Sequence, residues 1–191
     1  MKTESGTENT EVARTWTMDG AHSAIEFSVK HMMISTVKGK FKSFSVKAEG
    51  SPGLPGQARV SVRIDPSSIE TGEEKRDAHL RSPDFFSSGE FKEITFDSDR
   101  VEKISAEEYI LHGKLTIRGI SRDISLNAEF SGIVNDPYGN LRFGVAVRGE
   151  ITREEFGLKW NTILDTGGVM VGSKVKFEAQ IEMYSPKSSQ N

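Results

Sequence analysis

The chain has 191 residues, enough for one domain, and its 35% hydrophobic and 28% charged residues are ordinary globular material, neither disordered nor fibrous. A formal net charge of -3 offers no basic footprint for nucleic acid and no polybasic anchor for an anionic membrane. No run reaches the ~18 apolar residues of a spanning helix, and the lack of cysteine removes disulfides, thiol catalysis and thiolate metal sites together.

Residues 1–13 are polar and contain no apolar h-region, so they read as a frayed tail without a secretory leader. The expected compartment is therefore the cytoplasm; a chain whose leader had been removed would read the same and be periplasmic. The first alternating run follows, with Ile25, Phe27 and Val29 on one face and Glu26, Ser28 and Lys30 on the other. His31-Met32-Met33-Ile34 interrupts it. A second run carries Phe44, Val46 and Ala48, then Ser51–Gly56 is a loop of Pro and Gly too short to link domains. Ala58, Val60, Val62 and Ile64 form the third run, ended by Asp65-Pro66.

Thr71-Gly-Glu-Glu74 reads as a capping box, opening a short helix over 73–82 that stops at Pro83. Its expected inner side is Ala78 and Leu80, with Asp77 and Arg81 paired at i,i+4. Further runs follow at Tyr109–Ile117, Ile124–Phe130, Phe143–Ile151 and Val169–Met183. In the last, Val169, Val171, Ser173, Val175, Phe177, Ala179, Ile181 and Met183 are expected to share one face. Asp136-Pro137-Tyr138-Gly139 suits a type I turn, and Gly119–Arg122 a hairpin link. Residues 185–191 read as a second tail, leaving one β-domain over 14–184.

Strands with one dry face either stack as a sandwich or close as a barrel, and periodicity does not choose. Small residues at inward positions (Ala48, Ala58, Gly113, Ala128, Gly149, Ser173 and Ala179) favour a barrel. They either leave a lumen for a ligand or fit the taper of a filled core. The inward set Phe27, Val29, Phe44, Val46, Val60, Val62 and Phe96 is accordingly core, pocket wall or both. The same holds for Leu111, Leu115, Phe143, Val145, Val175 and Phe177. Met32, Met33, Leu80, Phe85, Phe86 and Trp160 come from irregular segments and read as a rim, a gate or a plug.

Polar candidates are few. His22 with Asp19 and Ser23 has triad-like composition, but adjacent residues of a strand point to opposite faces, so nucleophilic catalysis is disfavoured. A turn that ties down the first strand, or a contact to a lipid head, remains open for His22. His22, His31, His79 and His112 contain no His-x-His or His-x₃-His pair, so no metal is expected. Arg76 and His79, at i,i+3, either meet an anionic group at the rim or form a solvated helix face.

Several stretches together resemble one bacterial family. They are Trp16–His31 with Asp19-x-x-His22-Ser23, Gly39-Lys-Phe41, Ile69–Gly72, and Arg76-Asp-x-His79-Leu-Arg-Ser-x-Asp84-Phe-Phe86. They continue through Ile94–Ser98, Gly113–Gly119, Arg153, Phe156-Gly-Leu158 and Val171-Gly172. Over 14–184 the chain is similar to the YceI family, a lipocalin-like group whose members bind polyisoprenoids or related lipids. The resemblance implies an extended eight-stranded antiparallel β-barrel with an inserted helix, an elongated apolar pocket and a homodimer. The candidate polar rim for such a pocket is His22, His31, Arg76 and His79. The expectation is a non-enzymatic carrier or store for a long isoprenoid lipid, polyprenyl or quinone-like, with no cofactor, no nucleic-acid partner and no membrane insertion. The alternatives are a barrel enzyme, hydrolase or isomerase, acting on a lipid near His22, and a filled barrel used as an interaction module.

Overall fold

The alternating runs pair into one antiparallel sheet that closes on itself. The computed structural model describes residues 14–51, 55–165 and 167–186. Its strands are β1 (Arg14–Met18), β2 (Ala24–His31), β3 (Ser35–Phe41), β4 (Phe44–Gly50), β5 (Arg59–Ile64) and β6 (Ile69–Glu70). After helix α1 (Glu74–Arg81) come β7 (Ile94–Lys103), β8 (Glu108–Ile117), β9 (Ile120–Asn135), β10 (Leu141–Thr152) and β11 (Val171–Ser185). The ring order is β1-β4-β5-β7-β8-β9-β10-β11, and β11 returns to β1 through Thr17 opposite Tyr184 and Met18 opposite Met183. Eight strands thus close a barrel, and closure removes the unpaired sheet edges that invite aggregation.

The remaining three segments prolong ring strands beyond a bend. β2 continues β1 along β11, β3 runs into β4 beside β2, and β6 prolongs β5 beside β3. The bends are a 3-10 turn at Gly20–His22, the pair Lys42-Ser43, and a 3-10 turn at Pro66–Ser68 that Asp65 caps by accepting from Ser67 N at 2.8 Å. Every ring connection joins neighbours. One end of the barrel therefore gathers the β2–β3 turn, the 71–93 excursion, the Arg118-Gly119 hairpin and the 153–170 segment. The other end gathers the shorter β8 and β10 entries.

Helix α1 differs from its expected form. Its N-cap is Glu73, whose carboxylate accepts from Lys75 N and Arg76 N, and Thr71 does not cap it. Instead the buried Asp77 accepts from both Thr71 N and Thr71 Oγ1, at 2.9 and 2.5 Å. Arg76 donates to Thr71 Oγ1 and to its carbonyl, so Asp77 is not the partner of Arg81, which pairs with Glu74 at 3.3 Å. A side chain that must satisfy the backbone of a sharp strand-to-helix turn is drawn inward, away from the solvent-side i,i+4 partner.

Strand β11 also departs from the simple alternation. A register irregularity between Val171 and Val175 removes Ser173 from the inward face; it is exposed and donates to Glu154 Oε1 at 3.0 Å. Val169 lies outside the strand, bridged to Ile163. Between Val171 and Val175, β11 advances four residues against two of β2, so the surplus bulges outward while both valines still face the interior. Ser185, expected in a tail, is the buried last residue of β11 and pairs with Leu141. The tails expected at 1–13 and over 187–191, and part of the 51–56 loop, lie outside the described residues.

Candidate functional site

The inward faces of the barrel strands enclose a cavity of about 310 Å³ whose exposed wall is apolar throughout. On β8 the wall reaches from Tyr109 through Leu111 and Leu115 to Ile117, almost the whole strand. Eight residue steps at ~3.3 Å, tilted by roughly 40° to the axis, make the cavity about 20 Å long. The space is far larger than the about 10–15 Å³ that one trapped water requires, and it is drawn out along the barrel. It is elongated, dry and large enough for a hydrocarbon chain.

Of the residues expected as an apolar wall, Phe27, Val29, Val46, Val60, Val62, Phe96, Leu111 and Leu115 line this cavity. Phe143, Val145, Val175 and Phe177 do so as well. Leu80, Phe85 and Phe86 reach it from α1 and the segment after it. Phe44 packs on the core behind the wall, opposite Ile64, and Trp160 stacks outside it. Met32 and Met33 are exposed at the β2–β3 turn and belong to no part of the lining.

The small inward residues divide into two groups. Ala48, Ala58, Ala128 and Ala179 do line the lumen. Gly113 and Gly149 instead yield their space to a neighbouring ring. A Cβ at Gly149 would sit 2.5 Å from Phe177 Cζ, and one at Gly113 2.8 Å from Phe96 Cζ and 2.4 Å from the Asp97 carbonyl. Gly39 does the same for Phe27, at 2.4 Å. Gly149, Phe177, Phe27 and Gly39 lie in register across β10, β11, β2 and β3, so two adjacent rings lean apart over flanking glycines. Of the two readings open for the small residues, vacant space and fit, these glycines follow the second: bulk from the next strand moves in.

The end carrying α1 is roofed by stacked rings. His79 meets Trp160 edge-on at 4.6 Å and Phe85 at 5.1 Å, while its Nε2 lies 2.9 Å from Asp84 Oδ2. Arg118 donates to the Phe85 carbonyl at 2.6 Å and to the Pro83 carbonyl at 3.0 Å, pinning the segment that carries the roof. The opposite end has an aromatic floor, where Phe143 lies edge-on to Trp16 at 4.7 Å and against Phe130 at 5.2 Å.

The four polar candidates do not converge on the cavity. His22 is exposed on the outer bend between β1 and β2, its Nδ1 3.1 Å from Asp19 Oδ2. Ser23 Oγ donates to the Asp19 carbonyl at 2.7 Å and accepts from Glu182 N at 3.0 Å, which ties this bend to β11. His31 ends β2, opposite Ser35 and Val171, beyond the lining. Arg76 is engaged with Thr71, and His79 is part of the roof. Polar residues of the outer face cannot reach the lumen through a hydrogen-bonded sheet.

Two arginines that sequence reasoning did not single out as site residues organise the surroundings. Arg142 binds Asp19 at 2.8 Å, Glu182 at 2.6 Å and Asp136 at 2.9 Å on the outside of the barrel. Its guanidinium, with help from His22, lowers the Asp19 pKa to about 2, and it holds Asp136 well below the usual carboxylate range. Asp19, His22 and Glu182 bring ligand-type atoms within 4.8 Å of one another, but Arg142 already supplies the positive charge there. Arg153 is buried at the cavity end and donates to the carbonyls of Leu158, Gly172 and Trp160, with Nε to Gly172 at 3.0 Å. Burial pulls its pKa below the usual range, and Glu154, 3.3 Å away, opposes that shift. It is a clamp on the 153–172 segment. The break in alternation after Ile151 was the available signal.

Among described residues, no helix is long and apolar enough to cross a membrane. The model of the YceI-like domain family matches residues 16–183. A UPF0312 protein of Staphylococcus aureus strain N315 is 45% identical over 168 residues, covering 87% of this chain and 95% of that one. Among solved structures, the Campylobacter jejuni YCEI protein is 30% identical with a TM-score of 0.71, covering 83% of this chain and 90% of its own. BcnA of Burkholderia cenocepacia shares the fold at 22% identity and a TM-score of 0.72, over 86% of this chain and 98% of that one. A polyisoprenoid binding domain from Saccharophagus degradans shares it at 15% identity and a TM-score of 0.63, over 90% and 98%.

Proposed function

The chain belongs to the YceI-like domain family, and from that membership and the cavity we propose that it binds a long-chain isoprenoid lipid, polyprenyl or quinone-like, and stores or carries it without altering it. The observation that carries this reading is the elongated wall with no exposed polar surface. Such a wall binds by excluding water: each buried methylene contributes ~0.8 kcal/mol, so a dozen carbons give on the order of 10 kcal/mol before costs. Association and chain ordering cost an estimated ~4–15 kcal/mol. Useful affinity therefore needs most of a long tail inside and few polar contacts. A headgroup would lie beyond the lumen, and the protein would discriminate by tail length more than by head chemistry.

The wall also argues for binding over catalysis. Its ionisable members are Arg153, whose donors are taken by main-chain carbonyls, Tyr109, and Glu26, which is exposed on the outward register. No acid–base pair faces the lumen among them, as lipid chemistry inside the barrel would require. The filled-barrel alternative needs a lumen too small for ten carbons, whereas this one runs about 20 Å, longer than ten carbons of extended chain.

The test is native mass spectrometry of protein purified without detergent, with organic extraction of whatever it carries. A mass increment that extracts as an isoprenoid is expected. Protein that is always unliganded, and that takes up no added polyprenyl alcohol, contradicts the reading.

A further inference from the structure

Five large apolar side chains stand exposed on two loops at one end of the barrel. Met33 is 66% exposed, Ile34 81% and Ile163 80%, with Met32 and Val169 beside them. The loops form one platform: Met32 N donates to the Met170 carbonyl at 2.8 Å, and Ile163 bridges to Val169 within the second loop. The platform is continuous with the cavity wall, because Val29 and Val171, both lining residues, lie a few residues from Met32 and next to Met170 respectively.

The turn itself holds an independent observation. His31-Met32-Met33-Ile34 closes through Ile34 N to the His31 carbonyl at 3.2 Å, with φ of 52° at Met32 and 61° at Met33. Two successive left-handed residues define a type I′ hairpin turn, which Asn-Gly fills without strain. Two methionines there are costly to the backbone, and Met33, 66% exposed, recovers little of that by burial. A conformation held against local preference, displaying flexible thioethers to solvent, indicates a demand other than folding.

We propose that this platform docks on the surface of a lipid bilayer, inserting the exposed side chains of Met33, Ile34 and Ile163 among the headgroups. The barrel would then exchange its isoprenoid chain with the membrane at that end. Exposed Lys30 and Lys159 flank the two loops, against Asp165 within the second, which suits an anionic headgroup layer. Exposed apolar tips ringed by such charges fit an interface of this depth and no spanning role. The choice of a bilayer as partner rests on the lipid-binding reading above, and the experiment keeps the two apart.

Purified protein is sedimented with vesicles of phosphatidylcholine and phosphatidylglycerol, and uptake of a short, water-dispersible prenyl alcohol is measured separately without vesicles. The triple variant Met33→Ser, Ile34→Ser, Ile163→Ser should lose vesicle association on the order of tenfold or more and keep prenyl uptake. A second variant, Met32→Asn with Met33→Gly, should raise the melting temperature while weakening vesicle association, since it relieves the turn and removes its apolar tips. The proposal is overturned if the wild-type chain ignores vesicles, or if both variants sediment with them as the wild type does. It is equally overturned if the triple variant turns a dimer into a monomer with vesicle association unchanged, for then the platform serves a second copy. Loss of prenyl uptake by the wild-type chain with vesicle association intact would remove the lipid-binding reading and leave the docking surface standing.

Discussion

Asp19 and His22 show how a residue pattern can be legible while its purpose is not. Spacing marked them as a pair near the first strand, with a strand tie and a lipid contact both open. The structure makes the pair an outer clamp completed by Arg142, from a strand more than a hundred positions away in the chain. No local pattern announces such a partner, because the three carboxylates that Arg142 gathers come together only when the barrel closes. The clamp has a pH signature. Asp19, lowered from 3.8 to about 2, contributes stability that is fully present above its ordinary pKa and lost as pH falls through about 2. The Arg142→Gln variant should therefore be less stable than the wild-type chain at neutral pH, and the gap should close between about pH 4 and 2. Acid unfolding followed by tryptophan fluorescence measures it; a gap independent of pH would show that the carboxylates are not what Arg142 stabilises.

At the scale of elements, alternation announced β2, β4, β5, β8, β9, β10 and β11 because each buries one face and wets the other. β3 was missed because Gly39 occupies one of its inward positions, and β7 because a bulge between Ser98 and Arg100 breaks its period. Helix α1 is legible from its capping-box pattern and its stop before Pro83, but the cap falls on Glu73, since Thr71 is needed by Asp77. For Gly113 and Gly149, vacancy and fit are both open in the sequence, and the structure makes them seats for rings. They are also unequal. A methyl group at Gly113 meets the backbone of Asp97 and Ser98, whereas at Gly149 it meets the ends of Phe177 and Leu126, which can turn aside. Gly113→Ala should cost about 2–3 kcal/mol and Gly149→Ala about 1 kcal/mol or less, read from urea denaturation midpoints. Equal costs would mean that the strands, and not the rings, yield at Gly149.

The molecule as a whole combines closure with incomplete filling. Closure joins eight strands, and since alternation alone leaves barrel and sandwich open, the expectation of a closed ring of eight comes from the family resemblance. Whether the interior was hollow could not be read from residue sizes, because the same small side chains sit opposite space in some rows and opposite phenylalanine in others. The family resemblance supplied that expectation, and the enclosed volume bears on it directly. An elongated lumen of uniform apolar character grips in proportion to the length of chain it covers. The most direct test is to titrate lipid-free protein with prenyl alcohols of increasing length. Affinity should climb with each added unit until the tail spans the lumen's length of about 20 Å, and then level off. An affinity that does not change with chain length, or that levels off after the first unit or two, would contradict the account.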